Sequence, residues 1–183
     1  ATQLETPERG FSFQREGPLD MRMNPSQGIS AREWLSKAST LEMATIFQKY
    51  GEERWSKRIA KAIAQKRQVQ KIETTTQLAE IIKEAHPRWP RKIHPATRIF
   101  QAIRIHINQE IEELIECLRQ SADILAPGGR IAVITFHSLE AKEIKRFMRQ
   151  VDHRSNSQKL MRWVNTGIKP STEEVKNNPR ARS

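Results

Sequence analysis

The stretch from residue 126 to residue 140 limits the fold of this chain more than any other. A long helical pattern ends at Pro127-Gly128-Gly129, a combination that stops a helix and reverses the chain. Residues 131–135 are apolar and partly β-branched without clean alternation, which is typical of a strand buried on both faces. A second helical pattern begins near Ser138. The order helix, turn, buried strand, helix predicts an α/β fold.

The residues directly after this predicted strand are Phe136, His137 and Ser138. In open α/β sheets, ligands bind beyond the carboxyl ends of the strands, so chemistry is expected at this place. Since only one segment has a convincing strand pattern and a single strand cannot bury itself, we infer two alternatives. The chain is part of a larger α/β protein, or it has lost sheet strands from both ends.

The charge of the chain favours an anionic partner. The sequence of 183 residues has 32 Lys and Arg against 21 Asp and Glu, a formal charge of +11. Nucleic acid or an acidic membrane surface would both fit this balance. No run approaches the roughly 18 apolar residues that a spanning helix needs. The single cysteine, Cys117, excludes an internal disulfide and metal sites built on cysteine pairs, so no metal is expected.

Helical patterns dominate the region between the irregular first 29 residues and the predicted strand. Ser30 with Glu33 predicts a capping box for the first helix. The predicted helices cover about 31–38, 40–50, 52–68 and 75–86, and a last pattern runs from His94 to Leu125. At ~1.5 Å per residue this last pattern would be about 45 Å long, so it is either one bridging helix or two helices divided near His106.

The helix predicted at 52–68 has an apolar side and a basic side. Lys57, Arg58 and Lys61 lie together on the basic side. One interpretation is a solvated face on a core helix, and the other is a surface that contacts phosphates. Arg98 and Arg104 similarly share a side of the long pattern, away from its isoleucine stripe.

Seven phrases, in order, resemble the bacterial MraW/RsmH family. They are Glu8-Arg9-Gly10-Phe11-Ser12-Phe13, Gly17-Pro18-Leu19-Asp20-Met21-Arg22-Met23, Tyr50-Gly51-Glu52-Glu53-Arg54, His94-Pro95-Ala96-Thr97-Arg98 with Phe100-Gln101-Ala102, Leu125-Ala126-Pro127-Gly128-Gly129-Arg130, Phe136-His137-Ser138-Leu139-Glu140 and Asn178-Pro179-Arg180-Ala181-Arg182-Ser183. The resemblance covers nearly the whole chain. It implies an S-adenosylmethionine-dependent methyltransferase that modifies N4 of a decoding-centre cytosine in 16S ribosomal RNA.

The resemblance also implies an architecture. It is part of a class I, Rossmann-like sheet with an all-helical insertion that recognises RNA, while the N-terminal cofactor-binding half is expected to be absent from this chain. The expected divisions are a core loop at 1–24, the insertion at 25–100 and the C-terminal part of the core at 101–183. The implied partners are small-subunit ribosomal RNA or the assembling subunit, in the cytoplasm and away from membranes, with a homodimer left open.

Family resemblance assigns expected roles to individual residues. Gln3 corresponds to a glutamine that contacts the cofactor, and Asp20 and Arg22 are expected to shape the substrate pocket, with a purely structural turn as the alternative. His137 is the candidate proton acceptor, with capping of the following helix as an equal alternative. The residues expected to serve the RNA backbone are Lys57, Arg58, Lys61, Arg98 and Arg104. The alternative function is a catalytically inactive relative, an RNA-binding module that would bind the methyl donor weakly or not at all.

Overall fold

A computed structural model describes residues 6–87, 94–153, 162, 164–165, 167–178 and 181. These residues form eight α-helices after a short 3-10 turn at Pro7–Arg9. The helices are α1 (Ala31–Lys37), α2 (Thr40–Gly51), α3 (Ser56–Val69), α4 (Thr75–Ala85), α5 (Ala96–Ile107), α6 (Glu110–Ile124), α7 (Ser138–His153) and α8 (Thr172–Asn177). None of these helices is long and apolar enough to cross a membrane.

The prediction of an α/β fold with a Rossmann-like sheet is wrong for the described part of the chain, which contains no β-strand. Residues 131–135 form neither helix nor strand, and Ile134 is 78% exposed. An apolar run becomes a strand only when neighbouring strands satisfy its backbone N–H and C=O groups. Within the described ranges the recorded β-pairing is an isolated antiparallel bridge between Pro18 and Thr74.

The chain divides into two compact units, Ala1–Glu110 and Ile111–Ser183. This structural boundary lies ten residues after residue 100, where the family resemblance places the end of the helical insertion. The functional division at residues 24 and 100 stays a prediction, because compactness does not tell which part of an enzyme each segment serves.

The core of the first unit is made by four helices, with α2 packed against α3 and α5, and α3 packed against α4. Each contributes apolar residues at helical spacing, among which Phe47, Ile59, Ile63, Leu78, Ile82, Ile99 and Ile103 are fully buried. Burial of one such side chain contributes ~1.5–3 kcal/mol. The capping box of Ser30 with Glu33 is confirmed, and Thr74 forms a second one with Gln77.

Gly51 permits the close approach of α2 and α5. A Cβ atom added at Gly51 would lie 2.7 Å from the carbonyl oxygen of Arg98. The left-handed residue that follows α2 is Glu52, with φ of 48°. The glycine is therefore required by interhelical packing, while the left-handed conformation that ends the helix is adopted by the neighbouring Glu52.

The long helical pattern is broken into α5 and α6, as one of the two sequence predictions had it. The break lies at Asn108 and Gln109, and Gln109 has φ of 51°. The Asn108 amide Nδ2 donates to the carbonyl oxygen of Met21 at 2.8 Å, and its Oδ1 accepts the backbone N–H of Met23 at 2.6 Å. The break thus supplies a side chain that holds the N-terminal loop.

The loop before α1 is ordered and packed in its described part, as its apolar content predicts. Leu19 and Met21 are buried. The Leu19 N–H donates to the carbonyl oxygen of Glu73, and the N–H of Ala31 donates to that of Asp20. Hydrogen bonds and burial together fix this loop on the helices of the first unit.

The second unit has a small core of its own. Leu118 on α6 packs with Ile144, Phe147 and Met148 on α7. Leu114 and Ala122 lie at the edge of this cluster. The segment between the two helices leaves Phe136 79% exposed.

We predict that His94, just before α5, contributes to stability in a way that is lost in acid. Its Nδ1 accepts the N–H of Ala96 at 3.1 Å, and its ring lies 4.7 Å from that of Phe13. Burial, followed by the nearby Lys83, lowers the pKa of His94 from its ordinary value of 6.5, while Glu80 opposes the shift. The His94 imidazole therefore binds a proton more readily in the unfolded chain than in the folded one. We expect the contribution of neutral His94 to the free energy of unfolding to be complete above pH ~6.5. It should be lost as the pH falls through the lowered pKa of the folded state.

The check is urea unfolding of the wild type and of His94→Asn at several pH values between 7.5 and 5. Asparagine keeps an acceptor for the Ala96 N–H but does not titrate. The pH slope of the free energy of unfolding should be smaller in the variant. Equal slopes would contradict the assignment to His94.

Candidate functional site

Asp20 and Arg22 form an ion pair with each other. The Arg22 Nε donates to Oδ1 of Asp20 at 2.7 Å, and its Nη2 donates to Oδ2 at 2.8 Å. The hydrogen bond from the Arg22 side chain lowers the pKa of Asp20, although partial burial opposes the shift. Both side chains therefore stabilise the loop that carries them. This geometry matches the structural turn, and their role in a substrate pocket stays a prediction.

Arg9 is a second organiser of this loop that the sequence pattern did not reveal. Its Nη2 donates to the carbonyl oxygens of Arg22 at 2.7 Å and Met23 at 2.9 Å. Met21, which directly precedes Arg22, is buried and has a positive φ of 60°. A local pattern cannot find Arg9 or Asn108, since their partners are distant along the chain.

His137 lies at the N-terminus of α7, where it takes part in a reciprocal cap with Glu140. The Glu140 Oε2 accepts the N–H groups of Phe136 at 2.7 Å and His137 at 3.3 Å. The Nδ1 of His137 accepts the N–H of Glu140 at 3.5 Å. Its Nε2 is 3.3 Å from Glu140 Oε1 without hydrogen-bond geometry. The capping alternative thus has structural support, while a catalytic role stays a prediction.

The predicted catalytic and pocket residues belong to separate units. Asp20 and Arg22 lie in the first unit and His137 in the second, so the structure describes each by itself. Gln3 lies outside the described residues.

The predicted phosphate-contacting residues divide into two groups. Lys57, Arg58 and Lys61 are exposed along α3 and have no ion pair or hydrogen bond with their side chains within the described ranges, and the same holds for Arg98. Arg104 instead donates from Nε and Nη2 to both carboxylate oxygens of Glu110, at 2.7 and 2.9 Å. Its guanidinium is occupied, which suits a structural role better than phosphate binding.

The start of α3 is chemically unusual. Its N-cap, Trp55, makes no side-chain cap hydrogen bond, and the first turn holds no acidic residue. The first turn instead carries Lys57 and Arg58. Cations at a helix N-terminus are disfavoured by the helix dipole, so an external anion would be stabilised there.

Comparison with known proteins decides the family. A model of the MraW methylase family matches residues 1–183. The chain belongs to the MraW methylase family. It is 48% identical over 192 residues to ribosomal RNA small subunit methyltransferase H of Legionella pneumophila (strain Paris), covering 99% of this chain and 62% of that relative. It is 50% identical over 193 residues to the protein of the same name from Nitrosococcus oceani, covering 99% and 61%.

This MraW-family chain therefore spans about three fifths of the length of the curated relatives it matches, as the 62% coverage shows. Among the described residues, neither of two open hollows brings together the residues that the resemblance assigns to the substrate and to S-adenosylmethionine. Open hollows lie at the start of α3 and beside Arg32 and Arg67, and neither is lined by Asp20, Arg22 or His137. The exposed Gly128 has nothing within 4 Å of an added Cβ, so it lines no cradle among these residues. We derive no step of methyl transfer from them.

The cap at α7 yields a test of the structural role around His137. In Glu140→Ala the N–H groups of Phe136 and His137 lose their acceptor, so we expect a loss of about 1 kcal/mol in the free energy of unfolding. Glu143→Ala is the matched control, since it removes a carboxylate that only approaches Arg146 at 3.7 Å on the surface of the same helix. The control should cost less than about 0.5 kcal/mol. Denaturant unfolding followed by circular dichroism measures both, and equal losses would contradict the cap.

Proposed function

We propose that the protein to which this chain contributes methylates N4 of a cytosine in the decoding centre of small-subunit ribosomal RNA, with S-adenosylmethionine as methyl donor. The family membership and the names of the relatives support ribosomal RNA methylation. Selection of the cytosine and of its exocyclic nitrogen comes from the family resemblance alone. The proposed partner is the RNA or the assembling small subunit in the cytoplasm, and self-association is a further open proposal.

Within this function, we propose that the first unit binds the RNA. The observation that carries the proposal is the basic side of α3, where Lys57, Arg58 and Lys61 are exposed and lack intramolecular partners in the part of the chain that is described. Lysine and arginine side chains that pair with no carboxylate are available for phosphate oxygens. The formal charge of +11 supports the same partner. Arg98 is exposed as well and is proposed as a further phosphate contact.

The remaining site residues are proposed with narrower roles. Gln3 would contact the cofactor, and the loop stapled by Asp20 and Arg22 would form one wall of the substrate pocket. His137 would accept the proton released by the amine. Arg104 is the weakest member of the set, because both oxygens of Glu110 already bind its guanidinium.

A second candidate function is RNA binding without catalysis by this chain. The observation that favours it is that the hollow at the start of α3 is lined by basic residues and by none of the residues expected at a methyl-transfer site, while the basic side of α3 is exposed. The two candidates make different predictions for catalysis and share the prediction for RNA binding.

The RNA-binding proposal is tested by the triple variant Lys57→Ala, Arg58→Ala, Lys61→Ala. Binding of a small-subunit ribosomal RNA fragment should weaken, and the slope of log K against log salt should flatten by ~0.7 for each lost phosphate contact to a single strand. The matched control is Lys142→Ala, Lys145→Ala, Arg146→Ala on α7, which removes the same charge and the same residue types from the second unit. An equal change in both variants would mean that net charge alone attracts the RNA.

The catalytic proposal is tested by methyl transfer. The 183-residue chain and the natural gene product are each incubated with methyl-labelled S-adenosylmethionine and unmodified small-subunit ribosomal RNA. We expect N4-methylcytidine in the nucleoside digest with the gene product. We expect neither label nor cofactor-binding heat with the chain. A label on carbon 5 of cytosine, or no label with either protein, would contradict the proposal, and methylation by the chain would contradict its proposed inactivity.

A further inference from the structure

The connection between α2 and α3 surrounds an open hollow of about 710 Å³. This volume lies within the ~300–1,000 Å³ that is typical of small-ligand sites. Three cations line it, Arg54, Lys57 and Arg58, all exposed. The indole of Trp55 lies among them and is half-buried. The hollow thus combines positive charge with an aromatic surface.

A buried polar pair, Glu53 and His86, supports Trp55 in its position. The Glu53 carboxylate, only 3% exposed, accepts the backbone N–H of Trp55 at 2.8 Å. Its Oε1 is 3.7 Å from Nε2 of His86, the residue that follows α4. The His86 ring stands nearly edge-on to the indole, with centroids 6.5 Å apart. A residue of the connection between α2 and α3 and the residue after α4 therefore both support one half-buried aromatic residue.

The Arg54 side chain lies over the ring of Trp55. Its guanidinium carbon is 5.4 Å from the centre of the indole ring. Arg54 has no ion pair or side-chain hydrogen bond within the described ranges. A planar guanidinium that rests on an indole offers its outer face to another flat group, and RNA bases stack on such planes.

The charges around the hollow suit one nucleotide better than an isolated phosphate. Glu52 and Glu53 also line it, which disfavours a multiply charged anion. The Glu53 carboxylate is buried, accepts the Trp55 N–H and lies near His86, so it is held away from the open side of the hollow. The first turn of α3 has no side-chain cap from Trp55 and carries Lys57 and Arg58. A phosphodiester with one negative charge fits this end.

We propose that this hollow binds a single unpaired nucleotide of the RNA. Its base stacks on Arg54 over Trp55, and its phosphate lies beside Lys57 and Arg58. Since bases inside a duplex are already stacked, the site distinguishes single-stranded from double-stranded RNA. The inference rests on the proposed function only for RNA as the partner, and it adds a specific recognition residue, Arg54.

The test is Arg54→Lys, which keeps the charge but removes the planar group. Binding by the 183-residue chain is measured by fluorescence anisotropy with a labelled single-stranded cytidine 12-mer and with a 12-base-pair RNA duplex. Because one stacked base contributes substantially to single-strand affinity, we expect binding of the single strand to weaken about fivefold or more. Duplex binding should change less than about twofold. The matched control, Arg32→Lys on α1, should leave both affinities unchanged.

The outcomes separate the two proposals. If the wild type binds RNA with a steep salt slope but Arg54→Lys leaves both affinities unchanged, or weakens both equally, the stacking site is refuted and the basic surface remains. If the wild type binds neither RNA, the proposed function of this unit fails, and the stacking site fails with it. Circular dichroism of each variant shows that a loss of affinity does not come from unfolding.

Discussion

The tie between Asn108 and the N-terminal loop is the interaction on which the first unit depends most. One amide group accepts the N–H of Met23 and donates to the carbonyl oxygens of Met21 and Arg104. Backbone groups in a packed loop must find partners, and this loop has no sheet to supply them. The same residue ends α5, so the helix break and the loop conformation are one arrangement.

Charged side chains also stabilise the N-terminal loop next to Asn108. Arg9 binds two carbonyl oxygens, and Arg22 binds the carboxylate of Asp20. Arginine suits this work because its fork of donors is rigid and always charged. Arg9 thus holds the backbone of residues 22 and 23, and Asp20 and Arg22 bind each other within the same loop, so all three side chains have a structural role.

The basic side of α3 behaves differently. Its apolar side, with Ile59 and Ile63, is buried in the core. Its cations make no ion pairs within the described residues, and the start of the helix places positive charge where the dipole disfavours it. An external anion would be stabilised at this helix start, which connects the fold of the first unit with the proposed RNA partner.

Local signals in the sequence determined the helices and the family. The capping box at Ser30 follows from short-range hydrogen bonding, which neighbouring residues encode by themselves. Periodicity left one helix or two open for the long pattern, and the break between α5 and α6 occurs where Asn108 bonds the distant N-terminal loop. Tertiary structure alone decided that residues 131–135 are not a strand, since a strand exists only with a partner. It also decided that Arg104 binds Glu110 and that Gly51 packs against the backbone of Arg98. Such contacts form only when the helices pack together.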